Sequence, residues 1–166
     1  MFKTGHIDRF WDDSFKQFNY VRQPITNHEV SDWERQGYDY VKSFTGCQYN
    51  QSNPMPDWVF KLDNMFGLTN QTYNFYRMKT LEIMPTHSDK YIRYMELFKV
   101  PSNKIWRALL LLEDWKSGHY LEVDGTGFTN WVAGDYVMWH DDTPHAAGNI
   151  GIEDRYTLQI TGVEIG

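Results

Sequence analysis

From residue 72 onward the chain is a succession of short runs rich in β-branched and aromatic residues, cut by turns, and this restricts the fold more than any other feature. The runs span residues 72–84, 91–100, 104–112, 120–123, 128–132, 135–139 and 155–163. Gly118, Asp124-Gly125, Gly134-Asp135 and Asn149-Ile150-Gly151 separate them. Glycine reaches backbone angles closed to other residues, and aspartate and asparagine bond their own backbone, so these are turn signals. Strands this short, at this spacing, predict an antiparallel sandwich or barrel.

Before residue 70 the texture differs. Thr26 or Asn27 is suited to cap a short helix over residues 28–35, with Gly37 as its stop. Residues 50–56 form a polar, proline-bearing loop. Pro56 is placed to open a second helix, in which Trp58, Val59, Leu62, Met65 and Phe66 recur at helical spacing as far as Gly67. Such a stripe is most simply a face packed on a sheet. The expected organisation is one domain over residues 1–166, with 1–70 as a helical support segment and 71–166 as the β core. An apolar fraction of 41%, with 17% aromatic residues, is enough for a packed interior.

Composition also limits what the chain does. The net charge is −6 and the pI about 5.4, which disfavours a nucleic-acid partner, since the phosphate backbone needs a basic surface. No apolar run approaches a membrane span, and residues 1–6 lack the apolar core of a signal peptide. Cys47 is the single cysteine, so no intrachain disulfide forms. These features lead to the expectation of a cytoplasmic protein with a small-molecule or peptide substrate.

The chemistry-bearing residues cluster late. His87 and Asp89 are two apart, so in an extended segment both side chains point to one side. Pro85 helps end that strand, which puts the pair at a strand-to-loop edge. His145 follows Pro144 and must arrive from another strand. Two imidazoles and one carboxylate are the set that holds iron(II) on one face and leaves the other open. A rival set is local: His140, Asp141, Asp142 and His145 lie within one turn, but it leaves His87, Asp89 and Arg155 without a role. His6, His28 and His119 have no nearby partners in sequence and read as surface or packing residues. Cys47 reads as a small core residue.

Arg155 opens the final apolar run, with Thr157 two positions on and facing the same way. A guanidinium fork beside a hydroxyl is a receptor for a carboxylate, because parallel charge-assisted bonds fix its orientation. The plainer alternative pairs Arg155 with Glu153 or Asp154 at a strand edge.

At these residues the chain resembles the 2-oxoglutarate and iron(II)-dependent oxygenases. The likeness covers residues 73–163: His87-x-Asp89, the Trp131-x-x-Gly134-Asp135 turn, His145, and Arg155 with Thr157. Residues 107–112, 131–135, 141–145 and Asn149 are similar to aspartyl/asparaginyl β-hydroxylases, although Asp89 stands where those carry glycine and Leu109 where they carry histidine. The aspartate-bearing triplet and the strand from Arg155 to Thr161 also look like prolyl-hydroxylase-type members. Thr161 stands where nucleobase repair demethylases carry a second arginine.

The resemblance implies a mainly β fold with N-terminal helices, a double-stranded β-helix of the jelly-roll or cupin kind. It implies Fe(II) held by His87, Asp89 and His145, with 2-oxoglutarate as cosubstrate and dioxygen (O2) as oxidant. Arg155 and Thr157 would hold the distal carboxylate. Tyr76 would donate its hydroxyl to the cosubstrate, and Arg107 would salt-bridge cosubstrate or substrate. Strand packing explains Tyr76 equally simply, and a paired strand position explains Arg107 more simply. Trp139 is expected beneath the metal site as core. The implied reaction is hydroxylation of a peptidyl or free amino-acid side chain, with release of succinate and CO2. Two other classes compete: a cupin-type non-oxygenase metal enzyme, since zinc accepts the same ligands, and a jelly-roll binding module presenting aromatic side chains.

Overall fold

A computed structural model describes every residue except 24, 26, 39–44 and 166, and, in addition, leaves out the side chains of residues 27 and 28. In chain order the elements are β1 (Phe2–His6), β2 (Val21–Arg22), α1 (Asn27–Arg35), β3 (Cys47–Asn50), β4 (Leu68–Met78), β5 (Ile83–His87), α2 (Ile92–Phe98), β6 (Ile105–Leu111), β7 (His119–Val123), β8 (Thr126–Phe128), β9 (Asp135–His140), β10 (His145–Asn149) and β11 (Arg155–Glu164). Among the described residues the strands form two sheets, in the orders β1-β9-β6-β11-β4-β3-β2 and β5-β10-β7-β8. All their pairings are antiparallel.

The larger sheet is apolar on both faces because it lies between two layers. On β6 the even positions Trp106, Ala108 and Leu110 face an N-terminal layer of Trp11, Phe15, Trp58, Val59, Leu62 and Phe66. The odd positions Leu109 and Leu111 face the smaller sheet, where they cluster with Leu121 and Val123 of β7, with Val137 and Trp139 of the neighbouring β9, and with Trp131. On β11, Leu158 and Ile160 enter the first cluster, while Arg155, Thr157 and Gln159 turn to the space between the sheets. Strand periodicity alone thus sorts polar from apolar side chains and leaves a polar-lined cavity between the sheets. Cys47 is buried within the first cluster.

Several sequence expectations change. The run 72–84 is two strands in different sheets. Leu81 takes a left-handed conformation (φ 68), and Glu82 Oε2 accepts from the Lys79 backbone N–H at 2.8 Å, forming the turn between β4 and β5. Residues 91–100 hold α2 in place of a strand, because Tyr91, Tyr94, Met95 and Phe98 recur at three- and four-residue spacing and pack around Ile105. The expected helix from Pro56 to Gly67 is a short 3₁₀ helix, Asp57–Leu62, followed by turns. Asn64 has φ 67 and its N–H donates to Gln71 Oε1 at 3.0 Å, while Tyr73 bonds Asp63, so side chains compete with helix continuation. Met65, read as part of its apolar stripe, is 49% exposed. The run 128–132 ends as a strand at Phe128, and Asn130 (φ 59) turns the chain so that Trp131 enters the core.

The N-terminal segment is less helical than expected, since it also contributes β1, β2 and β3 to the larger sheet. α1 ends as anticipated. Gly37 has φ +93, its N–H donates to Glu34 O and that of Tyr38 to Trp33 O, the paired bonds of a glycine-terminated helix. The proposed cap at Thr26, and the side chains of Asn27 and His28, lie outside the described residues. Among the described residues no helix is long and apolar enough to cross a membrane.

Candidate metal centre and anion pocket

His145 on β10 is the direct cross-strand partner of His87 on β5, and their ring centroids are 4.3 Å apart. Each imidazole is fixed by the same local device. His87 Nδ1 lies 2.8 Å from the Pro85 carbonyl and His145 Nδ1 lies 2.9 Å from the Thr143 carbonyl. A carbonyl only accepts, so Nδ1 carries the proton and Nε2 presents its lone pair. Asp89, in the loop after β5, completes the group: Oδ1 is 3.9 Å from His87 Nε2 and Oδ2 is 3.6 Å from His145 Nε2. The three donor atoms lie within 4.8 Å of one another, the one such grouping among the described residues. Side-chain exposures of 7%, 16% and 11% for His87, Asp89 and His145 place the group in a largely buried setting.

Electrostatics suit a cation. Burial works against ionisation of Asp89, but the Arg107 guanidinium and then the two imidazoles outweigh it and hold the carboxyl well below the usual carboxylate range. Burial, only partly offset by Asp89, lowers the His145 pKa to about 4, which keeps the ring neutral and able to ligate. Trp139 packs its ring 4.8 Å from that of His145.

The rival histidines lie elsewhere. Alternation along β9 turns Trp139 inward and His140 to the opposite face, where its ring packs at a tilt on Trp106, the centroids 3.6 Å apart. Asp142 pairs with Lys90 at 3.4 Å. His6 Nδ1 lies 2.8 Å from Asp135 Oδ1. His119 is buried with Nε2 2.9 Å from the Glu153 carbonyl.

The same cavity, about 140 Å3, is lined by Arg155, Thr157, Tyr76 and Arg107. Arg155 and Tyr76 are each 3% exposed, and Thr157 is fully buried. Arg155 has no acidic partner among the described residues. Its Nη1 contacts Met78 Sδ at 3.6 Å, while Nε and Nη2 have no hydrogen-bond partner. Glu153 instead pairs with Lys116, and Asp154 accepts from Tyr156. Thr157 and Tyr76 are cross-strand partners; both hydroxyls are buried, that of Thr157 has no hydrogen-bond partner, and that of Tyr76 has the Gly46 backbone beside it. Burial lowers the Arg155 pKa to about 10 and raises that of Tyr76. A buried cation flanked by two hydroxyls presents hydrogen-bond donors suited to an anion. Arg107 is different, since its guanidinium is already shared between Asp89 (Nε to Oδ2, 3.3 Å) and Gln159 (Nη1 to Oε1, 2.6 Å).

Sequence reasoning did not single out Tyr91, Gln159, Asn74 or Trp33. Tyr91 OH donates to Asp89 Oδ2 at 3.2 Å, and the buried Trp33 of α1 meets the His87 ring edge-on at 5.6 Å. Asn74 and Gln159 line the cavity and were legible only as inward positions once the register of β4 and β11 was known.

No protein-family model and no curated protein matches the chain in sequence. Solved structures do match. The chain is similar to a Pseudomonas putida prolyl-4-hydroxylase at TM-score 0.53, with 17% identity over 84% of each chain. It is similar to the non-heme alpha ketoglutarate dependent epimerase SnoN from nogalamycin biosynthesis at TM-score 0.55, with 13% identity over 90% of this chain and 79% of that one. The fold is a double-stranded β-helix. A Schizosaccharomyces pombe Cnp3 cupin domain is more distant, at TM-score 0.45 and 11% identity over 72% of this chain and 65% of that one.

Proposed function

We propose that the protein is an Fe(II)- and 2-oxoglutarate-dependent dioxygenase that hydroxylates a peptidyl or free amino-acid side chain. The observation that supports this most strongly is Arg155. A guanidinium buried without a counter-charge is costly, by several kcal/mol on the usual order of magnitude, and it opens onto the same cavity as the His87-Asp89-His145 group. A metal hydrolase has no use for that second, unpaired cation. An acidic cosubstrate that also reaches the metal uses both.

In this reading His87, Asp89 and His145 hold iron(II). With iron bound, the site couples oxidation of a substrate C–H bond to conversion of 2-oxoglutarate and dioxygen into succinate and carbon dioxide. Arg155 and the hydroxyls of Thr157 and Tyr76 bind the distal carboxylate and fix the orientation of the cosubstrate. Leu109, Leu121 and Trp139 line the cavity with apolar surface that excludes water. The net charge of −6 fits a partner other than nucleic acid.

The test is a product assay on the full chain with iron(II), 2-oxoglutarate and air, against peptides and free amino acids. Succinate formed in step with a hydroxylated product supports the proposal. Metal binding through the three residues with no 2-oxoglutarate binding and no succinate would overturn it in favour of a non-oxygenase metal enzyme.

A further inference from the structure

Three successive cross-strand pairs join β11 to β4 on the cavity side: Arg155 with Met78, Thr157 with Tyr76, and Gln159 with Asn74. Each lies two residues, or about 6.5 Å, beyond the one before. The first two carry the guanidinium and hydroxyls assigned above to the cosubstrate. The third is linked to the metal group, because Gln159 Oε1 accepts from Arg107 Nη1 at 2.6 Å and Arg107 Nε is 3.3 Å from Asp89 Oδ2. Gln159 is thereby engaged. Asn74 is engaged at one end only. Its Nδ2 donates to Gln48 Oε1 at 3.0 Å, while its Oδ1 is buried with no hydrogen-bond partner among the described residues. Gln23, which follows β2, lines the same cavity, and its Oε1 is likewise buried and unpartnered.

A buried polar atom left unpaired costs free energy, and these two belong to side chains that line a cavity, so they point to a ligand that pairs them. A carboxamide is neutral and offers a donor and an acceptor. A cationic ligand group is disfavoured here by Arg107, Arg155 and a divalent ion. An anionic group needs a charged partner, and both guanidiniums are engaged, Arg107 by Asp89 and Arg155 by the cosubstrate. An apolar group leaves both amides unpaired, and a site built to hydrogen-bond its ligand rejects such a group strongly.

We propose that Asn74 and Gln23 are specificity-determining residues, and that the primary substrate presents to them an uncharged polar side chain, a carboxamide or a hydroxyl, in place of a carboxylate, an ammonium or a hydrocarbon. This rests on the oxygenase reading above, which leaves the kind of side chain open.

The experiment is isothermal titration calorimetry of the anaerobic full chain loaded with iron(II) and 2-oxoglutarate. The probes are the N-acetyl, N-methylamide derivatives of asparagine, glutamine, serine, aspartate, glutamate, lysine and methionine, which share a backbone and differ in the side chain. At least one uncharged polar member is expected to bind at least about tenfold more tightly than every charged or apolar member. Gln23→Leu and Asn74→Leu should each weaken that member roughly three- to tenfold, the size of one neutral hydrogen bond, and should change the affinity for 2-oxoglutarate by less. Without ligand, Gln23→Leu should melt no lower than wild type, because it removes an unpaired buried oxygen. A charged or apolar member binding as tightly as the best polar one overturns the proposal, as does binding of none. Equal losses of probe and 2-oxoglutarate in the leucine variants also overturn it, since the amides then serve the cosubstrate. A lower melting point of Gln23→Leu with unchanged probe binding assigns Gln23 to the structure and overturns its part. Failure of wild type to bind 2-oxoglutarate is a separate result, which overturns the oxygenase reading and this one with it. If Asn74→Leu does not fold, Gln23→Leu decides alone.

Discussion

Replacing Arg155 with methionine is expected to stabilise the protein without ligand and to abolish its response to 2-oxoglutarate. Arg155 is 3% exposed, and two of its guanidinium nitrogens have no partner. Exchanging buried charged groups for apolar ones of similar volume is commonly neutral or stabilising by about 1–4 kcal/mol. In a chain of this size each kcal/mol moves Tm by about 2–4 °C. The ligand-free variant should therefore melt at or above wild type, by up to roughly 16 °C. With cosubstrate at about 100 times its Kd, wild type should gain about 2.7 kcal/mol, a rise of roughly 5–11 °C, and the variant almost none. Arg155→Lys keeps the charge but loses the fork. At about 1.5–3 kcal/mol for a charged hydrogen bond, 2-oxoglutarate should bind it at least about tenfold more weakly. Differential scanning calorimetry of the anaerobic, metal-loaded proteins with and without 2-oxoglutarate measures all of this. A ligand-free Arg155→Met protein melting several degrees below wild type, yet still stabilised by 2-oxoglutarate, would refute the reasoning, because Arg155 would then be a structural residue with a partner in the folded chain.

Three further outcomes are expected. His140→Ala should bind iron(II) within a few-fold of wild type while His145→Ala loses it, because His140 packs on Trp106 on the opposite face of β9; equal losses by equilibrium dialysis would show that the wrong histidine is assigned. Asp89→Ala should lose metal and also unfold more easily, by about 3–5 kcal/mol in urea, since it strands the Arg107 cation, and Asp89→Ala with Arg107→Met should recover much of that loss; no recovery would mean the pair is not coupled. Gly134→Ala should lower Tm by several degrees, because Gly134 has φ +105 and a Cβ there would collide with the Ile7 carbonyl; an unchanged Tm would contradict the backbone placement at that turn.

What the sequence made legible, and what it hid, follows from how far each signal reaches. β6 and β11 are long, apolar and centrally placed, so composition and alternation point the same way. The choice between His140 and His145 also lies in alternation, since one residue of shift moves a side chain to the other face. β10, by contrast, reads His-Ala-Ala-Gly-Asn, a poor strand former. It is extended because β5 and β7 pair with it on both sides, and no local pattern announces that. Residues 91–100 are rich in β-formers, yet the three- and four-residue spacing that packs Tyr91, Tyr94, Met95 and Phe98 together made a helix. The inward residues of the cavity are half legible. Arg155 and Thr157 were readable as a pair on one face, whereas the joint hold of Arg107 and Tyr91 on Asp89 brings together residues whose approach depends on α2 and on the register of β6 with β11.

The most direct test of the central claim is an anaerobic titration of 2-oxoglutarate into the iron(II)-loaded full chain, followed by visible absorption. Chelation of iron by the cosubstrate produces a metal-to-ligand charge-transfer band. Wild type is expected to develop that band with saturable dependence on 2-oxoglutarate, His145→Ala to show none, and Arg155→Gln to require at least about tenfold more cosubstrate. Iron bound by wild type with no band and no saturable binding of 2-oxoglutarate would contradict the assignment of this cavity to an iron(II) and 2-oxoglutarate oxygenase.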